Sequence, residues 1–496
     1  IFSDPVHGHI LIHPICIVVI DTPEFQRLRD LKQLGMGYFV YPGAAHNRFE
    51  HCLGVCYLAG EFVKQLMDNQ PELEITIEDR LCVELAALCH DIGHGPFSHV
   101  FDSKVIPSLE VELDEKWKHE YASRDIFDYI YKNNQKVEKT FGEYGLGPQD
   151  IEFIKELIAG PTSGRKQEEW SYKGRPKEKA FLYEIVANER NGIDVDKWDY
   201  IARDCHQLGI RNSFDHSRFM KFARVIKGDD GRKQICLRDK EVINLHSLFA
   251  ARYLLHKTAY QHKVIGGLEI MVAQALVKAM GDLTFAKYFP SLKKCEKVPD
   301  IIKKKDWKGY ILMTDSILYK IRDAYGDISE NLKAAKQIVE RIFNRDFYRC
   351  IGESEPCKPG VLIGKKIGDE KETKTEAEKR IKAEIIQEGG LPDADADFFY
   401  VQVVSFDFGM KEENPLEKIS VYSKREPNKA KKIQQDEIST VLKHYVFKEE
   451  ILRIYITKTD ENKEKAILQA FDKWKKKNLV TQQEEAAGPS SRPDDD

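Results

Sequence analysis

The sequence HDIGHGPFSH, residues 90–99, combines three histidines and an aspartate with two glycines and a proline. His90 and Asp91 place an imidazole next to a carboxylate, and a divalent metal ion accepts that mixture of ligands. The glycines allow the backbone to approach a ligand closely, and Pro96 prevents a preceding helix from continuing. These residues therefore predict a metal-binding site at the end of a helix.

The residues before this stretch predict that helix. Thr76 is followed three residues later by Asp79, which is the arrangement of a capping box at a helix start. Apolar residues then recur at helical spacing, at Leu81, Leu85, Leu88 and Ile92. One face of the helix is therefore expected in the core, with His90 and Asp91 on its last turn.

Two more candidate ligands lie on other predicted helices. His51 follows a turn at Pro42-Gly43, and Asp196 lies in NGIDVDKWDYIARD, within a helical region predicted over 178–203. Alone, each histidine or aspartate is more simply explained as a core residue with satisfied hydrogen bonds. As a set, a histidine upstream of a His-Asp doublet and an aspartate far downstream favour one shared metal ion.

The composition is that of a globular protein with a substantial core, since 42% of the 496 residues are hydrophobic and 32% are charged. The net charge of -4 excludes a chain that is basic throughout, although local patches could still bind phosphate. The sequence has no signal peptide and no apolar run of about 18 residues, so no membrane span is predicted. Ten scattered cysteines favour buried, reduced thiols, which points to the cytosol or nucleus.

Helices are predicted through most of the chain. The opening residues 1–20, which include the apolar run ICIVVI, are predicted to be extended. A helix is predicted from the start signal Asp21-Thr22-Pro23-Glu24 to about Leu34, before Gly35. Residues 241–285 form a further helical region that is rich in histidine, lysine and arginine.

The character of the sequence changes after residues 364–384, a dense run of lysine and glutamate that predicts a solvated linker or an exposed helix. FYVQVVSFDF, ISVY and LRIYIT are predicted strands, and a final amphipathic helix carries Ile467, Ala470, Phe471 and Trp474. From about Thr481 the chain is polar, which is typical of disorder. We predict a mainly α fold in four parts: a large helical domain (1–363), the charged stretch (364–384), an α+β lobe (385–480) and a disordered tail (481–496).

Four motifs resemble one known family: HNRFEH, LCHDIGHGPFSH, NGIDVDKWDYIARDCH and AYQHK. Together they resemble the vertebrate SAM- and HD-domain-containing deoxynucleoside triphosphate triphosphohydrolases, members of the HD phosphohydrolase superfamily. The resemblance covers nearly the whole chain and implies a large all-helical HD-domain core with a smaller α+β lobe. The SAM domain is absent and the sequence begins in mid-motif at Ile1, so we expect a fragment.

The resemblance also implies a reaction and its setting. Family members hydrolyse a dNTP to a deoxynucleoside and inorganic triphosphate. They are activated by GTP or dGTP at one allosteric site and by a dNTP at another, and they assemble from homodimers into homotetramers. The implied consequences are lower cellular dNTP pools, restriction of viral reverse transcription and a part in innate immunity, in the nucleus and/or the cytoplasm.

Catalytic roles follow from the same resemblance. One divalent ion (zinc, iron or manganese) would be bound by His51, His90, Asp91 and Asp196, and magnesium would accompany the nucleotides. His119 matches a catalytic histidine that could protonate the leaving 5′ oxygen, with Glu120 orienting it. His94 and His99 match histidines near the α-phosphate, although from the residues alone they could equally support the metal ligands. Asp102 is expected to couple to one of these two histidines.

Further residues match the family's substrate contacts. The triphosphate tail is expected to contact Arg48, Lys197, Tyr200 and Arg252, and His256 is a further expected contact. The sugar and base are expected to contact Gln33, Leu34, Asp204, Tyr260 and Gln261. Without the resemblance, each of the tail contacts would be taken for a surface cation or a core tyrosine. A carboxylate and an aromatic ring at the sugar could leave no room for a 2′-hydroxyl.

Activator sites are implied only by the resemblance, because a solvated surface would otherwise explain most of these charges. A guanine-specific site would contain Asp21, Gln26, Arg29, Arg345 and Arg349. A second site, for a deoxynucleotide, would contain His9, Val40, Tyr41, Arg218, Arg238, Lys240, Asn244, His262, Lys263, Val264 and Lys424. Four positions depart from the family pattern: Thr258 replaces arginine, Ser3 at an activator site replaces asparagine, Arg349 replaces lysine and Tyr41 replaces phenylalanine. We therefore expect altered activator affinity or tetramer stability.

Two other functions stay open at this point. An HD phosphohydrolase acting on a cyclic nucleotide or a monophosphate would share the metal ligands, but Arg48, Lys197 and Arg252 argue for a triphosphate. A nucleic-acid-binding module could use basic patches to bind single-stranded nucleic acid, and its binding would be sensitive to salt.

Overall fold

The computed structural model describes residues 1–109, 111–113, 116–160, 170–280, 297–364, 372–434 and 446–480. The helices of these residues are α1 (Pro14–Ile20), α2 (Pro23–Gln26), α3 (Arg48–Asn69), α4 (Ile77–Cys89), α5 (Ile106–Ser108), α6 (His119–Asn133), α7 (Gln135–Glu143), α8 (Pro148–Ala159), α9 (Val195–Leu208), α10 (His216–Phe222), α11 (Val242–Leu255), α12 (Lys263–Met280), α13 (Val298–Lys303), α14 (Trp307–Tyr310), α15 (Ile317–Arg322), α16 (Glu330–Phe343), α17 (Lys374–Gly389) and α18 (Glu461–Lys475). The strands are β1 (Phe2–Asp4), β2 (Gly8–Ile10), β3 (Ala223–Lys227), β4 (Lys233–Arg238), β5 (Arg349–Glu353), β6 (Phe399–Asp407), β7 (Ser420–Tyr422), β8 (Lys431–Lys432) and β9 (Lys448–Ile456). The fold is mainly α, as predicted.

Helices α3, α4 and α9 form the centre of the helical part. The side chain of Glu50 accepts a hydrogen bond from the backbone N–H of Asn47 at 2.8 Å and fixes the start of α3. Helix α4 begins with the predicted capping box between Thr76 and Asp79, and Asp194 caps α9. The three helices pack together through buried apolar faces, and each fully buried leucine or valine contributes roughly 1.5–3 kcal/mol. This packing brings together residues that are far apart in sequence.

The C-terminal lobe has its own core between a sheet and two helices. Strands β5, β9 and β6 form an antiparallel sheet in that order. Ile381 of α17 and Trp474 of α18 are buried with Phe399 and Ile454 of the sheet. The predicted strands FYVQVVSFDF and LRIYIT and the final amphipathic helix are therefore confirmed.

A second sheet joins the two halves of the sequence. Its strand order is β3-β4-β7-β8, and β4 and β7 run parallel with Leu237 opposite Val421. ISVY therefore forms a strand, as predicted, but β3 and β4 were not expected within the helical part. Residues on either side of the charged stretch share this sheet.

The apolar run ICIVVI was wrongly predicted to be extended. It forms α1, which begins with Pro14 and has His13 as its N-cap. A short apolar run does not by itself distinguish a strand from a buried helix. Of the first residues, the structure assigns Phe2–Asp4 and Gly8–Ile10 to strands, which pair as a hairpin.

Two predicted helices are shorter than expected. The region 178–203 is interrupted, because the 3₁₀ turns of Lys177–Glu184 are followed by a loop in which Gly192 has φ +72°. A side chain is strained at that φ, so the glycine permits the break before α9. The helix expected to reach Leu34 ends at Gln26 and continues only as a 3₁₀ turn over Arg27–Asp30.

Three further predicted segments are only partly covered by the described residues or only partly match the prediction. Residues 241–280 are helical apart from short turns, while 281–285 lie outside the described residues. Within 364–384, residues from Lys374 onward belong to α17, and Ala377, Ile381 and Ile385 are buried there. The tail 481–496 lies outside the described residues, and the domain boundaries stay a prediction. Among the described helices, none has the length and apolar character needed to cross a membrane.

Candidate active site

Three helices supply the four predicted metal ligands. His51 lies in the first turns of α3, His90 and Asp91 directly follow α4, and Asp196 lies in the first turn of α9. His51 is fully buried, and the carboxylate of Asp91 is nearly so. The starts of α3 and α9 and the end of α4 meet at one place, so the four side chains form a compact group.

The donor atoms of this group are spaced as ligands of one ion. His51 Nε2 lies 3.3 Å from His90 Nε2 and 3.1 Å from Asp196 Oδ1. Asp91 Oδ2 lies 3.5 Å from His51 Nε2, and His90 Nε2 lies 3.4 Å from Asp196 Oδ1. Donors that surround a zinc-like ion tetrahedrally at about 2.1 Å are roughly 3.4 Å apart. His51, His90 and Asp196 therefore fit a single divalent ion as three donors, and Asp91, the fourth predicted ligand, lies beside them with Oδ2 paired to Arg48.

Hydrogen bonds fix both imidazole rings for this purpose. Nδ1 of His51 donates to Asp199 Oδ2 at 2.8 Å, and Nδ1 of His90 donates to the carbonyl of Ala87 at 2.7 Å. A proton held on Nδ1 leaves the lone pair of Nε2 free to coordinate. Both Nε2 atoms belong to the donor group, so the tautomers are those that a metal ion needs.

The electrostatics also call for a cation. Burial lowers the pKa of His51, but hydrogen bonds to Asp196 and Asp199 raise it more, to about 10. Burial raises the pKa of Asp91, while the charges of Arg48 and His90 bring it well below its usual range. The carboxylates therefore stay ionised, and a metal ion would supply the positive charge that a proton on His51 otherwise provides.

A second group of histidines lies beside the first. The rings of His94 and His119 stack with centroids 3.8 Å apart, and His99 meets His94 edge to face at 5.1 Å. Asp102 Oδ2 accepts a hydrogen bond from His119 Nδ1 at 2.8 Å, and Asp102 Oδ1 accepts one from Trp117 at 3.0 Å. The group could hold a proton or contact a phosphate oxygen.

The partner of Asp102 differs from the prediction. It was expected to couple to His94 or His99, but its hydrogen bond goes to His119, while His94 Nδ1 lies 3.8 Å away. Glu120, the predicted orienting residue, has its carboxylate 3.6 Å from His119, and 46% of its side chain is exposed. Asp102 follows the HDIGHGPFSH stretch in a π-helical turn and reaches the first residue of α6, a contact between segments that sequence spacing does not reveal.

The three histidines differ in protonation. Burial and the nearby charge of Arg48 lower the pKa of His94 well below its usual value. Although its side chain is exposed in the cavity, desolvation by the surrounding groups and the charge of His119 lower the pKa of His99 to about 4. Burial also lowers the pKa of His119, but the hydrogen bond to Asp102 outweighs it and the net shift is upward. His119 is therefore the most basic member of the group.

One cavity of about 730 Å³ opens over both groups. All the predicted substrate contacts line it: Gln33, Leu34, Arg48, His94, His99, Lys197, Tyr200, Asp204, Arg252, His256, Tyr260 and Gln261. His119, Glu120, Asp91 and Asp196 line it as well. The structure thus gathers the predicted catalytic and substrate residues around one space.

The cavity also has a wall that sequence reasoning missed. Lys104, Glu269, Lys374, Gln402 and Arg453 line it from the π-helical turn after α4, from α12, and from the lobe elements α17, β6 and β9. None of them belongs to a recognisable motif, so only the packing of the lobe against the helical part reveals them. The signal available in the sequence was the charge of the stretch that includes Lys374.

A buried network surrounds the predicted sugar contacts. Asp204 Oδ1 lies 2.7 Å from His46 Nε2, and Tyr260 donates to Asp204 Oδ2 at 2.5 Å. His46 opens the HNRFEH motif, but no role was predicted for it. The two bonds fix the carboxylate and the phenol ring relative to each other.

The predicted phosphate cations are each held by an acidic group. Arg252 contacts Asp407 at 3.0 Å, across the interface between α11 and β6. Lys197 lies 3.1 Å from Asp194, and Arg48 forms an ion pair with Asp91. Their positions are therefore set before any ligand binds. Burial and the charge of Arg252 lower the pKa of His256 to about 3, so this ring is neutral.

The predicted guanine-site residues fall into two places. Gln26 accepts a hydrogen bond from Arg29 at 2.9 Å and donates to the carbonyl of Ile20, next to Asp21. Arg345 follows α16, and Arg349 begins β5 and pairs with Glu464 at 2.7 Å.

The predicted second activator set is spread over three places. His9 is paired across the β1–β2 hairpin with Ser3, the residue that departs from the family pattern at an activator site. Tyr41, next to Val40, donates to the carbonyl of Thr258 at 2.7 Å and packs on His262, which is followed in the chain by Lys263 and Val264. The third place contains Arg218, Arg238, Lys240, Asn244 and Lys424, around α10, the start of α11 and the end of β7. Within one chain, the residues of each predicted activator site therefore lie in two or three separate places.

The fold and the site together define a helical HD-domain protein, and the HD domain family model matches residues 48–204. Among curated proteins, the chicken (Gallus gallus) deoxynucleoside triphosphate triphosphohydrolase SAMHD1 is 45% identical over 483 residues, which cover 96% of this chain and 74% of the relative. The human (Homo sapiens) SAMHD1 is 43% identical over 476 residues, covering 96% of this chain and 73% of the relative. A SAMHD1 homolog from Dictyostelium discoideum is 34% identical over 455 residues, covering 92% and 77%. The chain belongs to the SAMHD1 family.

Proposed function

We propose that this protein is a metal-dependent dNTP triphosphohydrolase, which converts a dNTP and water into a deoxynucleoside and inorganic triphosphate. The observation that carries the proposal is a single cavity whose lining brings Asp91 and Asp196 of the donor set together with a row of cations and a carboxylate–tyrosine pair, while His51 and His90 lie directly behind these two aspartates. The names of the relatives support the same reaction for this chain. In a cell, the activity would lower the dNTP pool.

The donor set would hold the Lewis acid of the reaction, whose electrophilic centre is the α-phosphorus of the dNTP. A zinc, iron or manganese ion bound by His51, His90, Asp91 and Asp196 would activate a water ligand and neutralise charge on phosphate oxygens. Asp199 and Ala87 hold the two imidazoles in the required tautomers, and Arg48 keeps Asp91 ionised. Magnesium would accompany the triphosphate in solution and in the site.

His119 is the proton donor to the leaving 5′ oxygen in this proposal. Its Nδ1 is bonded to Asp102, so the second proton of the imidazolium lies on Nε2, and the residue lines the cavity. The net upward shift of its pKa keeps that proton available near neutral pH. His94 and His99 stay neutral and can hydrogen-bond to phosphate oxygens without competing for the proton.

Arg48, Lys197 and Arg252 would bind the triphosphate that leaves. Because carboxylates already hold them in the cavity wall, little reorganisation is needed when charge develops on the phosphate oxygens. Tyr200 and His256 add neutral hydrogen-bonding groups beside them. A cyclic nucleotide or a monophosphate has only one phosphate group for these three cations, which favours a triphosphate substrate.

The Asp204–Tyr260 pair would sit at the sugar. Its hydrogen bond and the contact with His46 hold both groups in place. A ribose 2′-hydroxyl would have to displace one of these bonds or remain unpaired, and a mismatch of that kind discriminates strongly. Gln33, Leu34 and Gln261 would complete the sugar and base contacts.

Regulation by nucleotides is part of the proposal. GTP or dGTP would bind at Asp21, Gln26 and Arg29 of one subunit together with Arg345 and Arg349 of another, which explains why one chain keeps them apart. A dNTP at the second site would complete the assembly of homodimers into a homotetramer. Arg349 and Thr258 would alter activator affinity. A basic surface could also bind single-stranded nucleic acid, and the protein would act in the nucleus and/or the cytoplasm, in antiviral defence.

The decisive experiment follows the products of each dNTP, with and without GTP. Anion-exchange chromatography should show triphosphate and a deoxynucleoside in equal amounts, and oligomer size should rise with activity. In water labelled with oxygen-18, the label should enter the triphosphate, because water attacks the α-phosphorus. Release of pyrophosphate or single phosphate would reject the proposal and favour an HD phosphohydrolase of another kind.

A further inference from the structure

A buried carboxylate outside the ligand set connects the metal centre to the first residues of the chain. Asp199 lies on α9, three residues after the ligand Asp196, and is fully buried. Its Oδ2 accepts hydrogen bonds from His51 Nδ1 and Arg203 Nε, both at 2.8 Å. Its Oδ1 accepts from His7 Nε2 at 2.7 Å and from Arg203 Nη2 at 2.9 Å. A carboxylate has about four acceptor positions, and all four are filled here.

The contacts of Asp199 extend to the β1–β2 hairpin. Nη2 of Arg203 also contacts Asp4 Oδ2 at 2.9 Å. The other oxygen of Asp4 accepts the backbone N–H groups of Val6 and His7 at 2.8 and 2.9 Å, which shapes the hairpin turn. The hairpin therefore holds Asp199 twice, directly through His7 and indirectly through Asp4 and Arg203.

Helix α3 leaves no room for another arrangement. A Cβ at Gly54, three residues after His51, would overlap Asp199 Oδ1 and approach Arg203 Nη2 at 2.5 Å. The carboxylate thus fills the space that the missing side chain provides. If Asp199 only stabilised α9, its contact with Arg203 would be sufficient. Here His51 and His7, which come from different segments, both bind the same carboxylate.

We propose that Asp199 is a positioning residue of the metal centre, and that the N-terminal hairpin, through His7 and Asp4, holds Asp199 in the orientation that presents His51 Nε2 to the ion. This inference rests on the proposed metal site. It makes residues 4–7, far from the His-Asp motif in sequence, part of the support for metal binding. Replacement of such a supporting group typically weakens metal affinity by roughly 10–100-fold.

The test uses cobalt(II) added to the full chain after removal of metal by a chelator, with no nucleotide present. Asp199→Asn offers one oxygen and an amide N–H₂ to four donors, so it should weaken cobalt affinity by roughly 10–100-fold and alter the visible spectrum of bound cobalt. His7→Leu should weaken it by less, and His7→Gln, which keeps an N–H donor, should recover most of the loss. Asp4→Asn should resemble His7→Leu.

The matched control is Asp79→Asn. Asp79 is equally buried and accepts from Arg175 at 2.6 Å, but it lies at the opposite end of α4 from His90, roughly 16 Å away. It should lower thermal stability and leave cobalt affinity and the spectrum unchanged. If Asp199→Asn does not fold, the pair His7→Leu and His7→Gln decides.

Wild-type cobalt affinity and spectrum in both Asp199→Asn and His7→Leu would overturn the inference. The same result in Asp79→Asn as in Asp199→Asn would overturn it too, because a general loss of stability would then explain both. Failure of dNTP hydrolysis with normal cobalt binding would reject the proposed reaction and leave this inference standing.

Discussion

The two histidine groups of the cavity contain the same residue type in contrasting surroundings. His51 and His90 each donate through Nδ1 to a fixed acceptor and present Nε2 to a common centre. In the neighbouring group His119 donates through Nδ1 to Asp102, whereas His94 Nε2 lies 3.3 Å from Asp91 Oδ1 and His94 Nδ1 has no hydrogen-bond partner among the described residues. The partner of Nδ1 therefore distinguishes the three roles that we propose for these histidines: metal ligand, proton donor and neutral phosphate contact.

The largest effect is expected from His90→Ala. It removes one of four donors, and a metal ion contributes several kcal/mol to such a reaction, so dNTP hydrolysis should fall by roughly a thousandfold or more. Metal content, measured by mass spectrometry of the purified protein, should fall with it. Full metal content together with lost activity would show that His90 is not a metal ligand, and the contrast between the two histidine groups would then be smaller.

His119→Ala should lower the turnover number by roughly 10²–10⁴-fold while metal content stays unchanged. The pKa of His119 is raised in the folded protein, so the acid form is present below that pKa and is lost as pH rises through it. The wild-type rate should therefore decline on the alkaline side, and the variant should lack this decline. A variant with the same alkaline decline would show that another group is the acid.

Asp102→Asn should have a smaller effect of the same kind. The amide no longer stabilises the imidazolium, so the pKa of His119 should fall toward its ordinary value and the alkaline decline should begin at lower pH. A downward shift of about one pH unit lowers the rate on the alkaline side by roughly tenfold. Glu120→Gln is the matched control, since Glu120 lies farther from His119 and is half exposed; an equal shift in this variant would restore the predicted role of Glu120.

The metal ligands could be predicted because each one has a local signal. Helical periodicity and a capping box define α4, and its end at Cys89 explains why His90 and Asp91 project together. His51 and Asp196 lie near helix starts that are marked by polar caps. Hydrophobic faces pack the three helices together, and the resemblance to the HD phosphohydrolases selected these four residues as one set, because each of them alone also fits a role in the core.

The supporting residues could not be predicted in the same way. Asp102 bonds to His119 across a turn, and Asp199 takes part in four contacts from three segments, neither of which follows a sequence period. Gln402 and Arg453 reach the cavity only because the lobe packs on the helical part. Such contacts depend on how whole elements dock, and hydrophobic patterning leaves that open.

The smallest effect is expected from His99→Asn, and it is the sharpest test of the contrast between neutral and charged histidines. Desolvation by the surrounding groups and the charge of His119 lower the pKa of His99 to about 4, so this ring is already neutral between pH 6 and 9. Asparagine keeps a neutral hydrogen-bonding side chain, so the turnover number should fall by less than about tenfold, roughly the value of one hydrogen bond. Metal content and the alkaline decline should match the wild type, as shown by rates measured across the same pH range. If the alkaline decline disappears instead, His99 rather than His119 is the proton donor, and the hydrogen bond to Asp102 then serves to hold a neutral ring in place.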